Sequence, residues 1–382
     1  MGYKRIHKST RMRFPSLASI SKNTIALFKR FPTLFILVVF ATALAWFLMG
    51  EPSLDSMLEH KLWQLLATCN LGLTLGLAAD LYAESRALTG SYKWVIRAGA
   101  VLICGLLYAL LEPALYRTDV VRLGLFIFGF HQLVAFAPYI HRRSNSDFWH
   151  FNKVLFLRFL TALLYAVSLF AGLAVALFGV EELFALDLSS ETYGQLFILI
   201  AIGFNTLFFL AGVPSVFEAP ATAERYPKGL KIFTQYVLIP LMTIYLAILL
   251  VYEAKILLVW EMPRGVVATL ILGYAVFGML SLLLVWPIRN VEGNRWVRLF
   301  SKSFYLTMVP LIALLALAVY QRICHYGFTE ERYILMVLAL WLTVNTIYSL
   351  GFLKDDIRFI PASLTFLALA STFGPHSASD IS

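Results

Sequence analysis

From Phe31 onward the chain alternates apolar runs of roughly twenty residues with short polar connections. A helix needs about 20 mostly apolar residues to cross the hydrocarbon of a bilayer, because each residue rises 1.5 Å and the hydrocarbon is about 30 Å thick. Eleven runs meet that length: 31–49, 62–81, 94–111, 120–140, 154–180, 193–213, 232–252, 265–286, 304–323, 333–352 and 357–373. They are too long for barrel strands and lack period-two alternation. Helices also satisfy every backbone group internally, as lipid demands. The pattern therefore predicts an all-α polytopic membrane helix bundle of about eleven transmembrane helices.

Within this frame residues 1–30 form a basic cytoplasmic arm, 31–375 the transmembrane domain and 376–382 a short external tail. Residues 17–28 make a small amphipathic segment beside Lys22, Lys29 and Arg30. It reads as a solvated topogenic arm or as a helix lying on an anionic leaflet. The basic stretch is too long for a signal-peptide n-region, and the first run lacks a cleavage site. Residue six is Ile6, so the myristoylation pattern also fails. No soluble domain fits between the runs, and no internal repeat is clear.

Composition agrees with lipid as the solvent. The 382 residues are 60% hydrophobic and 14% charged, against about 45–50% and about 25% in soluble domains. The formal net charge of +9 could suggest nucleic acid, but its placement excludes that partner. Of the 31 Lys and Arg, only Lys61, Arg117, Arg122, Lys255, Arg264, Arg322 and Arg332 fall on the odd-numbered connections. All the others precede the first run or lie on the even connections. Basic residues mark the cytoplasmic side, so the N-terminus is expected inside, and eleven crossings put the C-terminus outside. Glu51, Asp55, Glu59, Glu181, Glu182 and Asp187 lie on the outer side. Cys69 and Cys104 sit inside apolar runs and Cys324 in a connection, so no disulfide framework or zinc spacing follows. No cofactor is implied; the expected partners are membrane lipids and other envelope proteins.

The second half carries a family resemblance. Its pieces are Gly212-Val213-Pro214, Tyr226-Pro227-Lys228-Gly229-Leu230-Lys231, Gln235-Tyr236-Val237-Leu238-Ile239-Pro240 and Glu253-Ala254-Lys255-Ile256 with Trp260 and Pro263. Then come Arg322-Ile323, Tyr326-Gly327-Phe328-Thr329-Glu330, Arg332-Tyr333, Ile357-Arg358-Phe359-Ile360-Pro361-Ala362-Ser363-Leu364 and Phe373-Gly374-Pro375. In this order, over residues 204–375, the chain resembles the bacterial inner-membrane family known as domain of unknown function 4153. The first half fits by hydropathy and by Asp80-Leu81-Tyr82-Ala83-Glu84. Family members continue past the Gly-Pro and carry an aromatic where His376 stands; this chain stops at Ser382. The resemblance implies the fold and a bacterial cytoplasmic (inner) membrane location. It implies no reaction.

Candidate chemistry is sparse. The chain has no phosphate-binding Gly-rich Lys-Ser/Thr loop, no His-Glu-x-x-His and no Gly-x-Ser-x-Gly. Charges within lipid are costly unless paired or wet, and almost none falls near a run centre. Asp80 and Glu112 read as interfacial, with Asp80 able to pair with Arg97 or Arg86. The deep polar residues are Asn70, His131, Gln132, Asn205, Gln235 and Asn345. His131 could titrate near neutral pH as a relay, or serve as an interhelical hydrogen-bonding imidazole. Gly72 and Gly76 offer a close helix contact. Pro240 and Pro310 could break their helices. Residues 256–260 read as an interfacial segment held by Trp260.

The densest polar group lies outside, between the ninth and tenth runs: Arg322, His325, Tyr326, Thr329, Glu330, Glu331 and Arg332. Gly327 permits a sharp turn there, with Thr329 capping the next helix and the two glutamates at its dipole. This is either a self-satisfied corner or an outer-face site shared with Glu253, Lys255, Glu261 and Arg264. Three functions stay open: a non-enzymatic envelope scaffold, sensor or membrane-complex subunit; a transporter or channel with a midplane polar site; an enzyme or flippase acting on lipid-linked substrates. Scarce midplane charge favours the first.

Overall fold

A computed structural model describes residues 17–50, 54–141, 144–218, 226–259, 266–289, 291, 294–327, 329–351 and 356–372. Residues 1–16 of the basic arm, the tail 376–382, and Arg142, Arg143, Arg225, Lys354, Trp260, Glu261 and Arg264 lie outside them. Among the described residues every regular element is helical. A short helix α1 (Leu17–Arg30) matches the amphipathic segment. Ten helices long and apolar enough to cross a membrane follow: α2 (Pro32–Gly50), α3 (Ser56–Ser85), α4 (Ser91–Leu110), α5 (Arg117–Phe136), α6 (Asn145–Phe184), α7 (Ser190–Ala211), α8 (Lys228–Ile256), α9 (Val266–Val285), α10 (Arg295–Tyr326) and α11 (Glu330–Gly351).

The eleventh expected span is a 12-residue helix, α12 (Phe359–Ala370). It is about 18 Å long at 1.5 Å per residue, shorter than the apolar run suggests. It packs antiparallel to α5. Ala368 and Leu369 sit against Gly129, where an added Cβ would lie 3.4 Å from each. Beyond its end the Arg122 Nε donates to the Thr372 carbonyl at 3.1 Å, near the start of α5. The last helix thus fastens the second half to the first.

Most helices outrun their apolar segments. The 154–180 run lies inside the 40-residue α6, because polar residues at its ends stay helical outside the lipid. Only Phe148, Phe151, Ala162 and Ala166 of α6 are buried. Residues 256–259 of the stretch expected to lie in the interface are helical and continue α8, while its anchor Trp260 lies outside the described residues. Neither proline breaks its helix. Pro310 sits inside continuous α10. Pro240 follows a π turn over Thr234–Leu238, where the Ile239 N–H reaches the Thr234 carbonyl; the wider turn makes room for the proline ring and its missing donor. A second π turn, Leu199–Phe204, interrupts α7.

Tight helix contacts use glycine. An added Cβ at Gly72 or Gly76 would come within 2.8 Å of Leu37 or Leu34, so the two glycines let α2 lie close on α3. The first half packs around Phe31, Leu34, Val38, Leu81, Tyr139 and Phe151. The second packs around Ile271, Tyr274, Phe304, Met308, Leu311 and Leu315.

An element order recurs that the residue identities conceal. Helix α5, a single 3-10 turn Ala137–Tyr139 and the start of α6 recur, at one spacing, as α9, the turn Trp286–Ile288 and the start of α10. Both turns hold a proline at their second position, Pro138 and Pro287. Proline has no N–H, so a carbonyl at the preceding helix end loses its partner. In the second elbow Trp149 Nε1 donates to the Leu283 carbonyl at 2.7 Å, and the Tyr226 hydroxyl donates to Leu284 at 2.7 Å. The two rings stack with centroids 5.8 Å apart. Replacing Trp149 by Phe keeps a ring but removes the donor. It should cost about 0.6–1.7 kcal/mol, the span measured for hydrogen bonds between membrane helices, read as a modest loss of thermal stability in detergent.

Candidate functional site

Arg30, Lys93 and Arg97, from two of the basic stretches, meet at one end of the bundle. There Asp80 of α3 is fully buried and Arg97 of α4 is 7% exposed, with Nε donating to Asp80 Oδ1 at 2.8 Å. Asp80 is therefore the buried half of an ion pair, and of the two arginines the sequence offered it, Arg97 is the partner it takes. Arg97 also donates to the Arg30 carbonyl at 2.9 Å and lies over the Trp94 ring. Arg30, at the α1–α2 junction, pairs with Glu84 at 2.8 Å and donates to the Val213 and Pro214 carbonyls. Lys93 reaches Glu84 at 3.4 Å. Five ionisable side chains thus tie α1, α3, α4 and the segment after α7 into one ion-pair network.

The deep polar residues do not meet. His131 is exposed on the bundle surface, and its Nδ1 donates to the Ile127 carbonyl of its own helix at 2.7 Å. The expected interhelical bond is not formed, because the ring satisfies itself one turn back. Gln132 is half-buried. Asn205 follows the π turn of α7, with a buried Oδ1 that makes no hydrogen bond. Asn345 is buried in α11 and donates to the Trp341 carbonyl at 2.9 Å.

At the other end the corner between α10 and α11 turns at Gly327, φ +76°. Arg332 Nη1 donates to the Gly327 carbonyl, and His325 Nδ1 to the Gln321 carbonyl at 3.0 Å. Glu331 reaches across to Arg117 of α5 at 2.9 Å, in an exposed pair. Arg322 and Glu330 are half-buried. Glu253 and Lys255 lie on α8. The Tyr326 side chain falls outside the described set. These bonds stay within the corner or reach α5.

A cavity of about 320 Å³ opens at the basic end. Its walls come from the second elbow (Arg289), α10 (Arg298, Ser301, Lys302, Tyr305), the end of α11 (Asn345, Tyr348, Ser349, Leu350) and the start of α12 (Asp356, Ile357, Phe359, Ile360). Arg298, Lys302 and Tyr305 share one face of α10, at i, i+4 and i+7. Arg298 and Lys302 are exposed, while Arg289 lies over the Trp286 ring. Among the described residues Asp356 is the one acidic wall residue. Arg358 Nε donates to its Oδ1 at 2.7 Å, Nη2 binds its Oδ2, and the Arg358 backbone N–H adds 3.1 Å. Those bonds hold the Asp356 carboxyl below the usual carboxylate range. The sequence reading placed Asn345 at the midplane and counted the three cations as topogenic; it did not assemble this cavity. The signal lay in the spacing of Arg298, Lys302 and Tyr305.

The comparisons with known proteins follow this geometry. The family model described as "Domain of unknown function (DUF4153)" matches residues 36–374. The chain belongs to this family. The match takes in both halves, whereas the sequence motifs were concentrated in the second. The chain is also similar to a Pasteurella multocida (strain Pm70) protein described as "Uncharacterized protein PM1469", with 27% identity over 282 residues. That match covers 72% of this chain and 46% of the relative, so the chain spans about half the relative's length. No solved structure matches. Together with ten membrane-length helices, these findings make the protein a multi-pass membrane member of the family.

Proposed function

We propose that the protein is a non-enzymatic component of the bacterial inner membrane, a sensor, scaffold or membrane-complex subunit, with its N-terminus in the cytoplasm. The carrying observation is the local closure of most of its deep polar groups, the buried Asn205 Oδ1 behind the π turn of α7 being the exception. Asp80 and Arg97 neutralise each other, His131 bonds within its own helix on the bundle surface, and Asn345 bonds one turn back. Transport calls for a polar site at the midplane, usually at interrupted helices; here α10 runs through Pro310 unbroken and α8 absorbs Pro240 in a π turn. The orientation follows from the basic residues gathered at one end.

The test is flux. Liposomes holding the purified full chain should be no more permeable to protons or small anions than protein-free liposomes. A pH-driven flux that disappears in His131→Ala would overturn this reading in favour of a transporter. Orientation is read separately with single cysteines. Lys22→Cys should resist a membrane-impermeant maleimide in intact spheroplasts, and Leu183→Cys, 83% exposed beyond the other end of α6, should react.

A further inference from the structure

We infer that the cavity between α10, α11 and α12 is a binding site for a phosphate group, carried by an anionic phospholipid that enters from the membrane surface. It deepens the sensor reading above and depends on it only for which leaflet supplies the lipid.

Charge is the first argument. Arg289, Arg298 and Lys302 face one small cavity, and among the described residues Asp356 is the single acidic group on its wall. Asp356 is already held by Arg358 through two side-chain bonds and a backbone bond. Arg298 and Lys302 have no ion-pair partner among the described residues. They stand one turn apart on the same helix, a like-charge arrangement that destabilises the helix. An anion between them turns that repulsion into attraction, and guanidinium with ammonium is the donor set that phosphate recognition uses.

Shape and lining choose the lipid. About 320 Å³ is within the range of ligand sites and too large for a bare phosphate alone. The walls from α11 and α12 add apolar surface, Leu350, Ile357, Phe359 and Ile360, beside the polar Asn345, Tyr348 and Ser349. A phosphate bearing a glycerol body and the start of acyl chains presents the matching pair of surfaces. Basic pockets between transmembrane helices at the cytoplasmic side bind such headgroups.

The first elbow supplies an internal contrast. At the same distances after its proline, Trp149 stands where Arg298 stands, and Lys153 where Lys302 stands. Trp149 is used up on the Leu283 carbonyl and on the Tyr226 ring, and Lys153 lies over the Trp149 ring. The same helical start is a joint between halves in one copy and a cation-lined cavity in the other.

The experiment uses the full chain in phosphatidylcholine nanodiscs containing a minority of phosphatidylglycerol, extracted into mild detergent and weighed by native mass spectrometry. The wild type should retain phosphatidylglycerol. The Arg298→Gln/Lys302→Gln variant should retain at least about tenfold less, since two charge-assisted bonds are lost. Arg86→Gln/Lys153→Gln removes equal charge from the same end and should retain as much as the wild type. Equal loss in both variants, or no selective retention by the wild type, overturns the site. Should inorganic phosphate raise the melting temperature of the wild type but not of Arg298→Gln/Lys302→Gln, without lipid retention, the phosphate chemistry stands and the lipid source falls. All four substituted residues sit at helix starts or turns. Matching size-exclusion profiles check that each variant folds. None of these outcomes bears on flux, so the site and the non-transport reading fail separately.

Discussion

Arg97→Leu should lower the stability of the bundle by about 3–5 kcal/mol, the usual cost of removing one partner from a buried ion pair. Asp80 is fully buried, and among the described residues Arg97 is its one ion-pair partner. Its second oxygen makes no hydrogen bond to any of them, so no other described donor is placed to take over. The substitution also removes the Arg97 bond to the Arg30 carbonyl, and with it one link between α4 and the α1–α2 junction. The double variant Asp80→Asn/Arg97→Met should recover much of the loss, because a neutral amide facing a thioether of similar reach leaves no naked charge. Thermal unfolding in detergent, followed by loss of the monodisperse peak, reads both. A single variant as stable as wild type, or a double variant less stable than the single, would show that the pair does not hold this end together.

Gly278→Leu should be the most disruptive substitution in the second half. A Cβ at Gly278 would lie 2.0 Å from the Phe304 ring. Phe304 is 1% exposed and central to the packing of α9 on α10. Neither ring nor helix can move away, since Tyr274 and Tyr305 flank the same ring. Overpacking a tight core costs about 1–3 kcal/mol and occasionally more; a branched side chain between two helix backbones belongs at the top of that range. Gly172→Ala is the matched control. Nothing lies within 4 Å of its added Cβ, so it should be neutral or stabilise by about 0.4–1 kcal/mol. If the two variants melt together, the contact at Phe304 is looser than its geometry indicates.

The spans were legible because lipid leaves a strong mark on sequence, an apolar run of fixed length. Helix ends were not, because hydropathy reports contact with lipid rather than helicity: Asn145–Lys153 is polar yet helical, and so is the start of α10. Residues 357–373 read as a full span, but the helix within them covers Phe359–Ala370, with a turn before it built by Asp356 and Arg358. Arg97 and Arg86 both stood open as partners for Asp80. Asp80 and Arg97 lie on different helices, and only the packing of α3 against α4 brings them to 2.8 Å. The same limit hid the cavity. Arg298 and Lys302 looked like any cytoplasmic charges until α11 and α12 closed around them. Gly72 and Gly76 were read correctly as a close contact, and α2 is the helix they admit.

The 40 residues of α6 amount to about 60 Å of helix, roughly twice the depth of the hydrocarbon. With so few of its side chains sealed against neighbours, this helix is steered more by lipid than by the rest of the chain. In a thinner bilayer it can lean to keep its apolar length covered, while the glycine-locked pair α2 and α3 cannot follow. Membrane thickness would then register first as a change in the tilt of a single rod, levered at Trp149 against the end of α9.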